Sequence, residues 1–243
     1  MRTIVFSLFI VMSLFNILFA QSAWKNISSL KRGTDKFSYE YDSRGRLAKE
    51  SVSSDATSDG LPPLPPFSFI YKYTANSIEA TDGDIRYIYK LSNGKITSVQ
   101  CYNWEGLAFE SAFLYNEAGQ MTTCKYRLGS DGVTQNFSFI WSDGNLVQLE
   151  HTNEYGEHIA SAVIAYSEEK QEYGIAPHPL ENKTLHPILY RKGFFGVLPQ
   201  NLPSQMSVTS SDRKQIIRYT YEKTAGYITK VKLNNQTQYF ISW

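Results

Sequence analysis

Tyr89-Lys-Leu-Ser-Asn-Gly94-Lys-Ile96, Tyr115-Asn-Glu-Ala-Gly119-Gln-Met121 and Trp141-Ser-Asp-Gly144-Asn-Leu146 are three renderings of one phrase. Each has an aromatic residue, a few mostly polar residues, a glycine, any residue, then an apolar one. The glycines fall at 94, 119 and 144, so the phrase recurs every 25 residues. Between the copies lies a second set of turn signals: Asn103-Trp-Glu-Gly106, Gly129-Ser-Asp-Gly132 and Asn153-Glu-Tyr-Gly156. One period therefore holds two turns and two strands, and the repeat unit is a β-hairpin. Glycine belongs in the phrase because a tight hairpin turn requires a positive φ that side chains disfavour.

The same phrase appears on both sides of this stretch. Tyr41, Gly45 and Leu47 form one copy, and Tyr221, Gly226 and Ile228 form another. Within the repeats Leu107, Phe109, Phe113 and Tyr115 alternate, and Val133, Phe137, Phe139 and Trp141 alternate in the next hairpin. Successive hairpins thus present the same face, as a meander of adjacent strands requires. Aromatic residues make up 14% of the chain, with 17 Tyr and 14 Phe. Flat rings suit a pleated surface.

Two segments break the pattern. Ser53 to Pro66 contains Leu61-Pro-Pro-Leu-Pro-Pro66, which cannot lie inside a sheet because proline donates no ladder hydrogen bond. It reads as an extended surface loop. Ser167 to Arg213 carries prolines at 177, 179, 187, 199 and 203 and loses the strand alternation. A short helix is expected over 187–192, with Pro187 in its first turn, Arg191 and Lys192 near its end and Gly193 just beyond. Phe194, Phe195, Val197 and Leu198 are too apolar to leave in water. The segment is expected to be a long crossover packed on one face of the sheet, and Trp24 to Gly33 an irregular lead-in.

The fold class that follows is all-β. It is an antiparallel meander of roughly ten to fourteen strands. Twist and unprotected edges would make so long a meander curl into a partly rolled or barrel-like form, carrying one crossover with a short helix. The domain plan is a signal peptide over 1–20 and a single β-hairpin-repeat domain over 21–243. Arg2 supplies charge ahead of a mostly apolar run from Ile4 to Phe19, and Ala20 precedes a small polar stretch. The protein is then exported to the periplasm, cell surface or medium, with no membrane span after signal cleavage.

The copies at Tyr41, Tyr89, Tyr115 and Trp141 resemble the tyrosine–glycine hairpins of YD-repeat proteins. The order of elements is similar to that of an uncharacterised family of exported Gram-negative envelope proteins. Those chains also place a Trp-x-Asp-Gly-Asn-Leu turn before a long irregular crossover and close with a Tyr-x-Tyr…Gly-Tyr-Ile hairpin. Here that hairpin is Tyr219, Tyr221, Gly226, Tyr227 and Ile228. The resemblance implies a fold and an envelope location and no activity. Many family members look like lipoproteins, whereas this chain has no Cys just after its apolar run.

The chemistry of known enzymes is not written in the chain. It holds no Gly-x-Ser-x-Gly, His-Glu-x-x-His, phosphate loop or dinucleotide fingerprint, so no cofactor and no catalytic residue is expected. A balance of 24 basic against 23 acidic residues gives no nucleic-acid footprint. His151 and His158 flank one hairpin turn beside Glu154 and Glu157. Paired surface residues are the expected reading there, and a metal site the alternative. His178 and His186, next to prolines, read as surface or capping residues. Glu168 and Glu169 point to opposite faces if they lie in a strand. Cys101 and Cys124 fall two strands apart. That is ~9.5 Å, beyond the ~7 Å within which Cα atoms can be bridged, so two packed thiols are expected.

The function expected from all this is non-enzymatic: an exported envelope protein acting as a binding module or scaffold. An envelope protein or a glycan is the expected partner. Tyr and Trp have flat apolar faces with a polar edge, suited to stacking on sugars. Tyr102, Trp104, Trp141 and Tyr155 lie near strand ends and are the candidate ligand-binding residues. The competing readings are that these rings merely plug a curled sheet, and that the chain is an enzyme with an unrecognised site.

Overall fold

The structure is a computed structural model, and it describes residues 25–54, 66–130, 132–171 and 185–243. The expected signal peptide and most of the proline-rich loop lie outside the described residues. Sixteen antiparallel strands follow one another around a closed barrel. They are β1 Ser29–Arg32, β2 Asp35–Tyr41, β3 Leu47–Ser54, β4 Phe67–Tyr73, β5 Ser77–Asp82, β6 Ile85–Ser92, β7 Lys95–Asn103 and β8 Gly106–Tyr115. Then come β9 Met121–Leu128, β10 Thr134–Ser142, β11 Asn145–Asn153, β12 His158–Lys170, β13 Asn201–Ser210, β14 Lys214–Thr224, β15 Tyr227–Leu233 and β16 Gln236–Ser242. Among the described residues one helix, α1 Pro187–Arg191, interrupts the series.

The all-β meander and its single short helix stand as read from the sequence, with two more strands than the upper estimate. The first is β1, inside what reads as an irregular lead-in. It pairs with both β2 and β16, so Leu30 lies opposite Ile241 and the sheet has no free edge. The second is β13, inside the expected crossover. Pro203 hides it, sitting where the register with β12 shifts, one of the few places a strand tolerates proline. The crossover proper is 171–200.

The phrase turns all lie at one end of the barrel and the second turn set at the other. At the first end the described part of the crossover, 185–200, seals the barrel. Leu185, Ile188, Leu189, Phe195 and Leu202 are fully buried among the inward-facing strand residues. Phe195 meets Phe113 edge to face at 5.3 Å. The backbone is clipped to the turns as well: Ile96 N donates to Phe194 O, Val197 N to Gly119 O and Gln200 N to Gly144 O. Membrane barrels of this strand number leave an aqueous channel. Here the interior is apolar and packed. The outward face carries Lys49, Lys125, Glu150 and Arg218 within the strands, and Lys36, Glu40, Lys72, Arg86 and Arg127 nearer the strand ends.

Aromatic residues at the plugged end share one task. Tyr73 donates its hydroxyl to Leu47 O, Tyr115 to Ile96 O and Tyr166 to Leu146 O. The indoles of Trp141 and Trp243 do the same to Met121 O and Ile228 O. The phrase residues Tyr41 and Tyr221 donate to Ile27 O and Pro203 O, whereas in these five the acceptor is the apolar residue that closes a preceding phrase. Next to it the register slips by one residue, as between Leu114 and Tyr115, where Tyr115 faces Met121 and Leu114 faces Thr123. The phrase therefore encodes a turn, a β-bulge, and an aromatic button that fastens each hairpin to another.

Candidate functional site

Inward-facing rings from four successive hairpins form a cup in the half of the barrel away from the plug. Phe37, Phe67, Phe69, Tyr87, Phe109 and Tyr126 touch in sequence, with centroid separations of 5.2 to 6.5 Å and mostly tilted or edge-to-face geometry. Alternation places them there, because every second residue of an antiparallel strand points inward. The first five of them line a cavity of about 300 Å³ whose lining also includes Arg32, Val99 and Leu185.

The floor of the cup is polar. Glu50 projects inward from β3 and is buried, although the sequence of β3 gives no sign that this carboxylate differs from its neighbours. His186, just ahead of α1, brings Nε2 to 2.8 Å from Glu50 Oε2. The Tyr71 hydroxyl donates to the same oxygen at 3.1 Å and lies 3.0 Å from His186 Nε2. The other ring nitrogen, Nδ1, accepts from Leu189 N and caps the helix. Nδ1 is thus the lone-pair side of the ring, and Nε2 carries the proton toward Glu50. Burial alone pushes the Glu50 carboxyl up. The facing His186 ring and the bonds from His186 and Tyr71 outweigh it, and the group lies below the usual carboxylate range. Burial and the neighbouring carboxylate hold the Tyr71 phenol well above its ordinary value.

The residues singled out from the sequence do not form one site. Trp104 and Tyr155 are on turn tips at the end away from the plug and are 77% and 80% exposed. Their hairpins, β7–β8 and β11–β12, lie four strand spacings apart, which is ~19 Å of sheet. Tyr102 lies against the Arg86 guanidinium at 5.3 Å. Trp141 is a button at the plugged end, half-buried and committed to Met121. What identifies the cup is instead the inward parity of Phe37, Phe67, Phe69, Tyr87 and Phe109, a pattern visible in the sequence only once the sheet is known to close.

The other titratable candidates have structural roles. His186 is a cap, as expected, and its side chain is only 12% exposed. His151 stacks on Phe137 at 4.4 Å instead of lying on the surface, while His158 faces Glu150 at 3.4 Å. Among the described residues no group of three possible ligands could hold a metal ion. Glu169 pairs with Lys223. Cys101 and Cys124 are both buried, on β7 and β9 with β8 between them, and no disulfide joins them.

No family model matches the chain, and no curated protein matches it. Among solved structures it is similar to a porin-like protein from Bacteroides uniformis ATCC 8492, with 17% identity over 90% of this chain and 96% of the other, at a TM-score of 0.67. A porin-like protein from Bacteroides vulgatus ATCC 8482 matches with 13% identity over 89% and 98% of the two chains, at a TM-score of 0.58. At these identities the likeness is one of fold. The YD-repeat resemblance stays a likeness of motif.

Proposed function

We propose that this is an exported, water-facing, non-enzymatic binding protein of the cell envelope, and that the aromatic cup takes its ligand. The observation that carries this reading is the cup itself: five inward-facing rings around a ring-sized space, above a buried Glu50–His186–Tyr71 floor. Aromatic walls with a few fixed polar groups are how proteins hold sugars and other ring-bearing small molecules. A glycan fragment is the favoured class, since it would use both the rings and the carboxylate edge.

The water-facing part of the reading is supported by the outward charges. A Lys or Arg on the lipid side of a barrel costs ~2–4 kcal/mol near the bilayer midplane. This barrel carries Lys49, Lys125 and Arg218 within its strands, and ion pairs such as Lys49–Glu40 at 3.2 Å and Arg127–Glu110 at 2.6 Å lie on the same face. Exposed apolar residues such as Ile70, Leu114, Ile140 and Phe240 are interspersed with polar ones. No helix among the described residues is long and apolar enough to cross a membrane.

Two other readings remain in competition: a scaffold that docks an envelope protein, and an enzyme using the floor cluster. The test is to purify the mature chain without detergent, screen it against a glycan panel and generic hydrolase substrates, and pull down partners from envelope extract. Glycan binding weakened by Phe109→Ala and untouched by Trp104→Ala is the expected result. A partner protein with no glycan bound would favour the scaffold. Turnover abolished by Glu50→Gln would make the cup an active site. A chain that is soluble only in detergent would overturn the water-facing reading.

A further inference from the structure

The plugged end carries a second cavity, separate from the cup. Helix α1 divides the two: His186 at its start faces the cup floor, and Arg191 at its end faces the other side. This groove is about 810 Å³ and lies between the β6–β7 turn, the end of β12 and the crossover. Lys95, Lys170, Arg191 and Lys192 line it, and no acidic residue does so among the described residues. The rest of the wall is largely apolar or backbone, with Val197, Leu198 and Pro199 along one side and Asn93-Gly94 at the turn.

Four cations from three separate elements converging on one hollow is a costly arrangement, since like charges repel. The recorded contacts of the lysines are with neutral groups. Lys192 Nζ donates to Asn26 Oδ1 at 2.6 Å and lies over the Tyr41 ring. Lys170 Nζ donates to Asn201 Oδ1, and Lys95 lies over the Tyr115 ring at 6.0 Å. Arg191 is held by Lys25 O and stacks on Trp243 at 4.4 Å. The lysine contacts fix those three cations in place without cancelling their charge.

We infer that this groove is a binding site for an organic anion with an apolar body, its phosphate or carboxylate held by Lys95, Lys170 and Lys192 and its apolar part laid along Val197 to Pro199. The site is independent of the ligand proposed for the cup. Burial first, and Arg191 second, push the Lys192 ammonium down to about 8, as expected where a cation lacks a matching anion.

The test uses the mature full chain with three probes: octyl phosphate, inorganic phosphate and the neutral octyl glucoside. Calorimetry should show octyl phosphate bound tightest, inorganic phosphate bound weakly and octyl glucoside not bound. Lys95→Gln and Lys192→Gln should each weaken octyl phosphate about tenfold, the equivalent of ~1.4 kcal/mol. Their melting temperatures should stay near the parent's, and rising salt should weaken binding further. A second readout needs no variant: acetylation of Lys192 at pH 8, followed by mass spectrometry, should be suppressed by octyl phosphate and not by octyl glucoside. Equal binding of the neutral and anionic amphiphiles, or Lys192 acetylation indifferent to octyl phosphate, would overturn the site. Inorganic phosphate binding as tightly as octyl phosphate would overturn its apolar half.

Discussion

At the scale of single residues, backbone conformation separates the positions that tolerate change from those that do not. The two-residue turns Asn93-Gly94, Asp143-Gly144, Ala225-Gly226 and Asn234-Asn235 all have positive φ at both positions. Asn and Asp tolerate that region with little strain, and alanine does not. Ala225, with φ of 50°, is therefore a strained residue on an otherwise open turn. Ala225→Gly is expected to raise stability by ~0.5–1 kcal/mol. Gly196 is the opposite case. It has φ of 90°, and a Cβ there would lie 2.4 Å from Gly119 O and 2.9 Å from the Tyr115 ring. Neither neighbour can retreat, because Val197 N holds the same Gly119 carbonyl. Gly196→Ala should lift the plug from its seat and cost ~2 kcal/mol or more. Urea unfolding of the two variants checks both signs, and a stable Gly196→Ala would show that the plug does not depend on this contact.

At the scale of the element, the hairpin is the unit and its button the fastener. Tyr and Trp occupy the phrase rather than Phe because the ring must carry a donor to the neighbouring carbonyl. Tyr115→Phe keeps the ring and removes only the bond to Ile96 O. The expected cost is ~1 kcal/mol, rising toward ~3 if no water reaches the freed carbonyl. Trp141→Phe should cost more, since it removes the bond to Met121 O and leaves unfilled space behind it. Hydrogen exchange should report faster opening around the affected hairpin while the far side of the barrel keeps its protection. Uniform loss of protection around the barrel would mean that the buttons act on global stability alone.

For the whole molecule, the buried Glu50 ties the crossover to the sheet and makes the fold sensitive to acid. Its carboxyl lies lower when folded than the ordinary value of 4.5. A lowered folded value means the contribution is present above 4.5 and is lost as pH falls below that and through the folded value. Protonation would remove the acceptor shared by His186 and Tyr71 and loosen the plug. Melting temperature should therefore fall on acidification, and Glu50→Gln should flatten that fall while lowering stability at neutral pH. An unchanged acid limb in Glu50→Gln would assign the sensitivity to other carboxylates, such as Asp42, whose carboxyl is also held low by its bonds with Arg44 and Arg46.

Read alone, the chain determined its class and its rhythm: antiparallel hairpins, two turns per repeat, a crossover with one short helix expected at 187–192, and two cysteines too far apart to bridge. These are local matters, set by strand alternation, by glycine at positive φ and by proline. Closure was not legible, because it depends on β1 meeting β16, a pairing of Leu30 with Ile241 across nearly the whole chain that no local pattern marks. The candidate site was not legible for the same reason. Trp104 and Tyr155 stand out in sequence because large rings sit at turns, whereas Phe37, Phe67 and Phe109 look like ordinary strand residues. Only closure turns one face of every strand toward a common centre. The same closure brings His186 to Glu50, and the crossover it seats gathers Lys95, Lys170 and Lys192 from distant segments around one groove.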